Sequence, residues 1–460
     1  MLPRALLCLL LVPSAAPTAT YYVNNQTGDD ANDGTTAETP LATIARAVSL
    51  CNTSDTLVLT NTGKTYYEPL KLGRLGGTPE KPFLIEGNGA VLSGLKTLKP
   101  DQWEKVAEGL YLFPLEKQPY GNPYLTDRGK RFESAGSVDS VASEQYFWDR
   151  EKGIYFRCST DKTPGSYELA ATLSESGLVT TSASYIVCRN LICECFSNDG
   201  FNMHGDCRGI YLENVVARHN GDDGISIHEC GGLVVRNAHV HHNTYGLQDV
   251  NASRSFYNGV LAENNQVGAS FHGGFHSLVD CVIIDSKTDQ IDVVADSPKH
   301  LIGSQYNPIC RTTLFAKNVV LRGSGNRAGI RVRKGAHAVV ENSVVLGSLA
   351  GVVVEEQGQC HLTTSAIADC ETSIVSDSSN IFRDYNVYHP GRIKWLGTEY
   401  SPEQWQAFLA QVGHDEHTHL GPVAVAEDGI VHLPPDVKME KRPGPTQPVS
   451  LRISPGSNDL

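Results

Sequence analysis

From about residue 186 onward the hydrophobic positions fall into short Val/Ile-rich runs that alternate with polar residues, each run broken by Asn, Gly or Asp. Alternation with period two predicts strands with one buried face, and the breaking residues predict tight corners. The pattern recurs. Its polar marker falls at Asn190, Asn214, Asn237, Asn258, Asp280, Asn318 and Asn342, at intervals of 24, 23, 21, 22, 38 and 24 residues. Some 22 residues leave no room for a crossover helix. Each unit is therefore predicted to be one coil of a solenoid, its strands stacked in parallel ~4.8 Å from those of the next coil. Corner asparagines can stack their amides along the axis, and that structural role accounts for most of the markers.

These rows, typified by "IVCRNLICECFSNDGFNMHGDC" and "GIYLENVVARHNGDDGISIHEC", resemble a right-handed parallel β-helix of the pectate-lyase-like superfamily. The resemblance spans most of residues 21–390 and implies an all-β fold. The segment from Tyr21 to Leu72 is similar to the opening of secreted members, which implies a capping helix over about Leu41 to Cys51.

Two stretches depart from the repeat. Residues 96–172 carry aromatic strand pairs such as "EQYFWDREKGIYFRCS" and predict a small antiparallel β insertion. In "SPEQWQAFLAQVG" Ser401 is a helix N-cap, Pro402 takes the first turn and Gly413 is the stop. The expected organisation is a leader over residues 1–20, cap and first coils over 21–95, the insertion, repeats over 173–390, and a C-terminal helix and tail over 391–460, loose beyond Val437. The leader pairs Arg4 with a short apolar run and then small residues, which predicts a secreted or periplasmic protein. No segment approaches the ~20 apolar residues of a membrane span.

The net charge of −13 offers no broad basic patch, so nucleic acid is not an expected partner. A polysaccharide is, and an acidic one would need a local basic cleft or a bridging cation. The 12 cysteines fall at irregular spacings without a zinc pattern. They are expected to be buried thiols, with Cys207–Cys230 the one disulfide considered. "GHDEHTH" near the C-terminus looks like a metal cluster, but its spacing is irregular.

Stacked coils turn rows into columns. Nine residues past their markers stand Asp199, Asp223 and Asp289. Three further on lie Asn202, Ser226, Ser270 and Asp292, with Gln248 between the two serines, and two beyond those lie His204, His228 and His272. Phe201, Met203, Ile225, Ile227, Leu247, Ala269, Phe271, Ile291 and Val293 should point inward. Two bare carboxylates ~5 Å apart repel by ~1 kcal/mol in water and ~3 kcal/mol at an effective dielectric near 20. Asp199, Asp222 and Asp223 therefore call for a bound cation or a retained proton, although Asp-Gly is also ordinary turn chemistry.

The resemblance gives these residues two enzymatic readings. "NDGF" followed by "GDDGIS" resembles the calcium corner of lysine-dependent pectate lyases. That implies Ca²⁺ on Asp199, Asp222 and Asp223, although Ser226 stands where another aspartate belongs and the lysine is missing. His272, or His228, would then be the base, with Asp222 and Asp223 in the catalytic group. Arg331, Arg333, His204, Asp292 and Gln248 would bind substrate, the arginines clamping a carboxylate. The alternative is a polygalacturonase-like inverting hydrolysis on the paired aspartates; "IRVRK" lies too many coils away for a direct match, and "GRIKWLG" lies past the repeat. A third reading is a non-catalytic glycan-binding face with Tyr245, Phe256, Tyr257 and Phe275 stacking on sugars. His239, His241 and His242 are expected to face solvent, His219 and His276 to be structural, and Lys287 to be a lesser base candidate.

Overall fold

The structure, a computed structural model, describes residues 18–295 and 311–449. The leader reading of residues 1–17 lies outside the described residues. The chain forms a right-handed parallel β-helix. Among the described residues one face is a 12-stranded sheet, and the other two faces run together as a 21-stranded sheet.

A coil is built from three short strands. In one of them Ile210–Glu213 leads to a corner at Asn214, then Val216–Arg218, then a corner at His219, then Asp223–Ile227. Asn214 and His219 have φ of 53° and 56°. That left-handed region suits Asn and is several-fold enriched in His, which is why polar residues mark the corners. The asparagine ladder is present: the Asn214 amide donates to Asn190 Oδ1 at 3.2 Å, and Asn237 donates to Asn214 Oδ1 at 3.3 Å. A second, internal ladder runs through Asn220, Asn243 and Asn265, with contacts of 3.0 and 3.2 Å. Its members are almost wholly buried, so each amide must find its partners on the neighbouring coils.

Inside the solenoid the predicted inward residues Phe201, Met203, Ile225, Ile227, Leu247, Ala269, Phe271, Ile291 and Val293 all belong to one core cluster. The N-terminal end is closed by a helix, α1 (Ile44–Leu50), capped by Thr43, whose Oγ1 accepts from the Arg46 N–H at 3.1 Å. Ile44 and Ala47 bury the helix against the first coils.

The insertion is antiparallel for the most part. Gln145–Asp149 pairs with Gly153–Arg157, which pairs with Leu110–Pro114. It has its own aromatic core, including Trp103, Phe113, Tyr146 and Phe156. It leans on the solenoid through a few polar contacts. The Asn122 amide donates to Gly221 O at 3.1 Å, and Ser197 Oγ donates to Tyr120 O at 2.7 Å.

Several expectations need correction. Cys207 and Cys230 are free thiols, as are all ten cysteines among the described residues. The parallel stack runs past residue 390, because Ile393–Trp395 pairs with Ile374–Ser376. The tail beyond Val437 is docked: Val449 packs on Leu261, Val282 and Val320. Its helix behaves as read, with Ser401 and Gln404 closing a capping box ahead of α2 (Trp405–Val412) and Gly413 at φ 69°. In "GHDEHTH" Asp415 lies against Arg383 at 3.5 Å and His417 against Asp384 at 2.9 Å, so these groups make ion pairs.

Asn243→Ala strips partners from the Asn220 amide and the Ala217 carbonyl inside the coil corner. We expect a loss of about 2–3 kcal/mol, read as a lower urea midpoint by circular dichroism with unchanged native ellipticity.

Candidate functional site

The polar row lies on the outer face of the 12-stranded sheet. Parallel register pairs Asn202 with Ser226, Ser226 with Gln248, Gln248 with Ser270, Ser270 with Asp292 and Asp292 with Arg331. A side chain keeps its face when strands stack in register, so the column follows from the coil length. His272 and Arg333 flank Val294 in the neighbouring column.

Asp199 is the hub. Its Oδ1 accepts the Asp223 N–H at 3.2 Å, and its Oδ2 accepts Ser226 Oγ–H at 2.9 Å as well as the Asn202 amide. His228 Nε2 lies 3.3 Å from Ser226 Oγ. Ligand atoms of Asp199, Asp223 and His228 all fall within 4.8 Å of one another. Asp223 Oδ1 and Asn202 Oδ1 are buried without a hydrogen-bond partner.

Burial, then the nearby Asp222 charge, pushes the Asp199 carboxyl up to about 7. Burial, then the Asp199 charge, raises Asp223 well above the carboxylate range, and burial raises Asp222. Burial and the stacked His204 ring, 4.2 Å away between centroids, bring His228 down to about 4. His228 is thus a neutral imidazole at pH 7. His204 leans on Glu229 through a 3.5 Å contact.

The structure gathers Asp199, Asp223, His228, Ser226 and Asn202, with Asp222 at the adjoining corner. The tight group pairs two of the three expected metal-ligand aspartates with an imidazole. Further along the row His272 Nε2 meets Ser270 Oγ at 2.9 Å. Beyond it the cations are already engaged. Arg333 grips Asp292 with two contacts of 2.9 and 2.7 Å, Arg331 binds Glu355, and Arg327 binds Asp289.

Other expectations fall elsewhere. Tyr257 is buried in the core, its hydroxyl donating to Asp249 at 2.8 Å, so it offers no sugar platform. Phe256 and Phe275 are exposed, but on the 21-stranded sheet. Lys287 lines a cleft beside the insertion together with His242. His239 and His241 are buried, not solvent-facing.

Asp249 was missed by pattern reading. It sits between Ile227 and Phe271 in an inward column, where period two calls for an apolar residue. His276 answers it with an Nδ1 contact at 3.1 Å, and Ser255 and Tyr257 complete its shell. Its charge adds, after burial and the Asp199 and Asp222 charges, to the forces that raise the Asp223 carboxyl.

No protein-family model matches the sequence, and no curated protein matches it. Among solved structures the chain is similar to the complex of XylC with xylose, with a TM-score of 0.51 at 14% identity over 82% of this chain and 69% of that one. It is also similar to a structure described as a glycoside hydrolase, with a TM-score of 0.51 at 11% identity, covering 81% of this chain and 96% of that one. At such identities the likeness establishes the shared fold.

The buried carboxyls set a pH signature for the chelator-treated protein. Asp199 has a folded value of about 7 against 3.8 for the free group. A raised carboxyl adds stability below its unfolded value and loses it as pH climbs through the folded one. Asp223→Asn removes one such group. The variant should melt above wild type at about pH 8, and the gap should close toward about pH 4, as scanning calorimetry would record.

Proposed function

We propose that the chain is an exported carbohydrate-active enzyme that cleaves a uronate-containing polysaccharide by cation-assisted β-elimination. The observation that carries this reading is the pair of orphaned buried oxygens, Asp223 Oδ1 and Asn202 Oδ1, on two residues that both bond to Asp199. An acceptor without a donor in a buried site is costly. A hard cation satisfies such oxygens, and oxygen ligands suit Ca²⁺. The donor set fits: Asp199, Asp223 and Asn202 would hold the ion, with Asp222 beside them. When bound there, Ca²⁺ offsets a uronate carboxylate and acidifies the neighbouring C–H.

The remaining work falls to the chain's own side chains. His272 is proposed as the base that takes the C–H proton, held by Ser270. His228, neutral at pH 7, is the second acceptor and stands closer to the aspartates. His204 and Gln248 line the row as substrate contacts. Arg331, Arg333 and Asp292 extend it, although a substrate carboxylate would have to share the guanidiniums with Glu355 and Asp292.

Inverting hydrolysis needs ~6.5–9.5 Å between carboxyl groups to seat a water. Asp199 and Asp223 have ligand atoms within 4.8 Å. That spacing favours a shared ion over a trapped water.

A panel of uronate and neutral polysaccharides tests the proposal by ultraviolet absorbance of unsaturated products and by reducing ends. Elimination raises both, and chelator suppresses both. Asp223→Asn and Asp222→Asn should lower turnover roughly a hundredfold or more without lowering the melting temperature. Reducing ends without absorbance would replace elimination by hydrolysis, and saccharide retention without product would leave a binding face.

A further inference from the structure

A second constellation lies on another side of the solenoid, where its corner meets the insertion. Adjacent coils place His219 and His242 at equivalent corners, and His241 ends the intervening strand. The His219 and His242 rings stack at 4.8 Å, and His241 meets both edge-on at 5.6 and 5.1 Å. His241 Nδ1 and His242 Nδ1 are 2.9 Å apart. One ligand nitrogen from each of the three rings lies within 4.8 Å of the other two.

We propose that His219, His241 and His242 bind a first-row transition-metal ion of the zinc class. Three imidazoles select such ions over Ca²⁺ or Mg²⁺, which take oxygen ligands. Nitrogens bound tetrahedrally at ~2.1 Å from zinc lie about 3.4 Å apart. The Nδ1 pair at 2.9 Å is somewhat closer than that, and each of the three ligand nitrogens lies within 4.8 Å of the others. Small ring rotations close the set. The contact between the two Nδ1 atoms requires a proton on one of them; a metal bound at that nitrogen moves the proton to the same ring's Nε2.

The surroundings support a cation. His239 stacks on His241 at 4.3 Å and pairs with Glu263 at 2.8 Å, a carboxylate whose charge also acts on His242. Arg218 is one opposing charge, and Glu194 compensates it at 2.8 Å. The group opens onto a cleft of about 890 Å³ whose walls include two cations, Arg131 from the insertion and Lys287 from the solenoid, along with Glu133 and Asp285. Three protein ligands leave a fourth position for water or an anionic group on the cleft side.

The test uses the full chain stripped with chelator and titrated with Co²⁺, then Zn²⁺. The expected result is one equivalent of Co²⁺ with the visible spectrum of imidazole ligation, displaced by Zn²⁺. His242→Asn and His219→Asn should each weaken binding at least a hundredfold, beyond the 10–100-fold effect of a supporting group. Asparagine tolerates the positive φ of both corners, so these variants should keep their circular dichroism. Asp223→Asn should retain the Co²⁺ spectrum, which separates this site from the aspartate row. No spectrum at millimolar Co²⁺, a spectrum that survives both histidine changes, or one that disappears with Asp223→Asn would each overturn the assignment.

Discussion

Everything functional in this molecule depends on the in-register stacking of parallel coils. A coil of about 22–24 residues returns the chain to the same place one strand spacing further along the axis. Backbone hydrogen bonds fix the register, and a slip of one residue would exchange the core and solvent faces. The arrangement therefore converts sequence spacing of 24 residues, Asp199 to Asp223, into direct contact: the amide of one binds the carboxylate of the other.

That constraint also has a cost. Carboxyls brought together by stacking cannot separate without breaking the ladder, and both are buried. Their suppressed ionisation, the added charge of Asp249 and the orphaned oxygens describe one condition, a pocket short of positive charge. A proton or a metal ion can supply it. Elsewhere along the row arginine supplies it instead, as Arg333 does for Asp292 and Arg327 for Asp289. The site thus divides into a charge-deficient end and a neutralised end, and the chemistry proposed here belongs to the first.

How far the sequence foretold this depends on the range of each interaction. The inward residues from Phe201 to Val293 and the outward column from Asn202 to Arg331 were legible because period two and the coil length are local properties. Asp249 was not, since an aspartate in a core column becomes intelligible only with His276 and Tyr257, which lie on a different sheet of the coil. The insertion's grip on the corner was also hidden: Asn122 and Gly221 are 99 residues apart and joined by one polar contact. The buried histidines were misjudged for a related reason. Their strand is sandwiched by neighbouring coils, and the next rung, Leu261, is covered by Val449 of a tail whose proline-rich sequence gives no sign of docking.

The central claim is that the stacked pair Asp199 and Asp223 holds a proton in the free protein and yields it to a cation. Calcium titration calorimetry at about pH 8, above the Asp199 value of about 7, in two buffers of different ionisation enthalpy, measures that exchange directly. The account predicts binding with release of about one proton per ion, and loss of both in Asp223→Asn. Binding without proton release, or no binding at all, would contradict it.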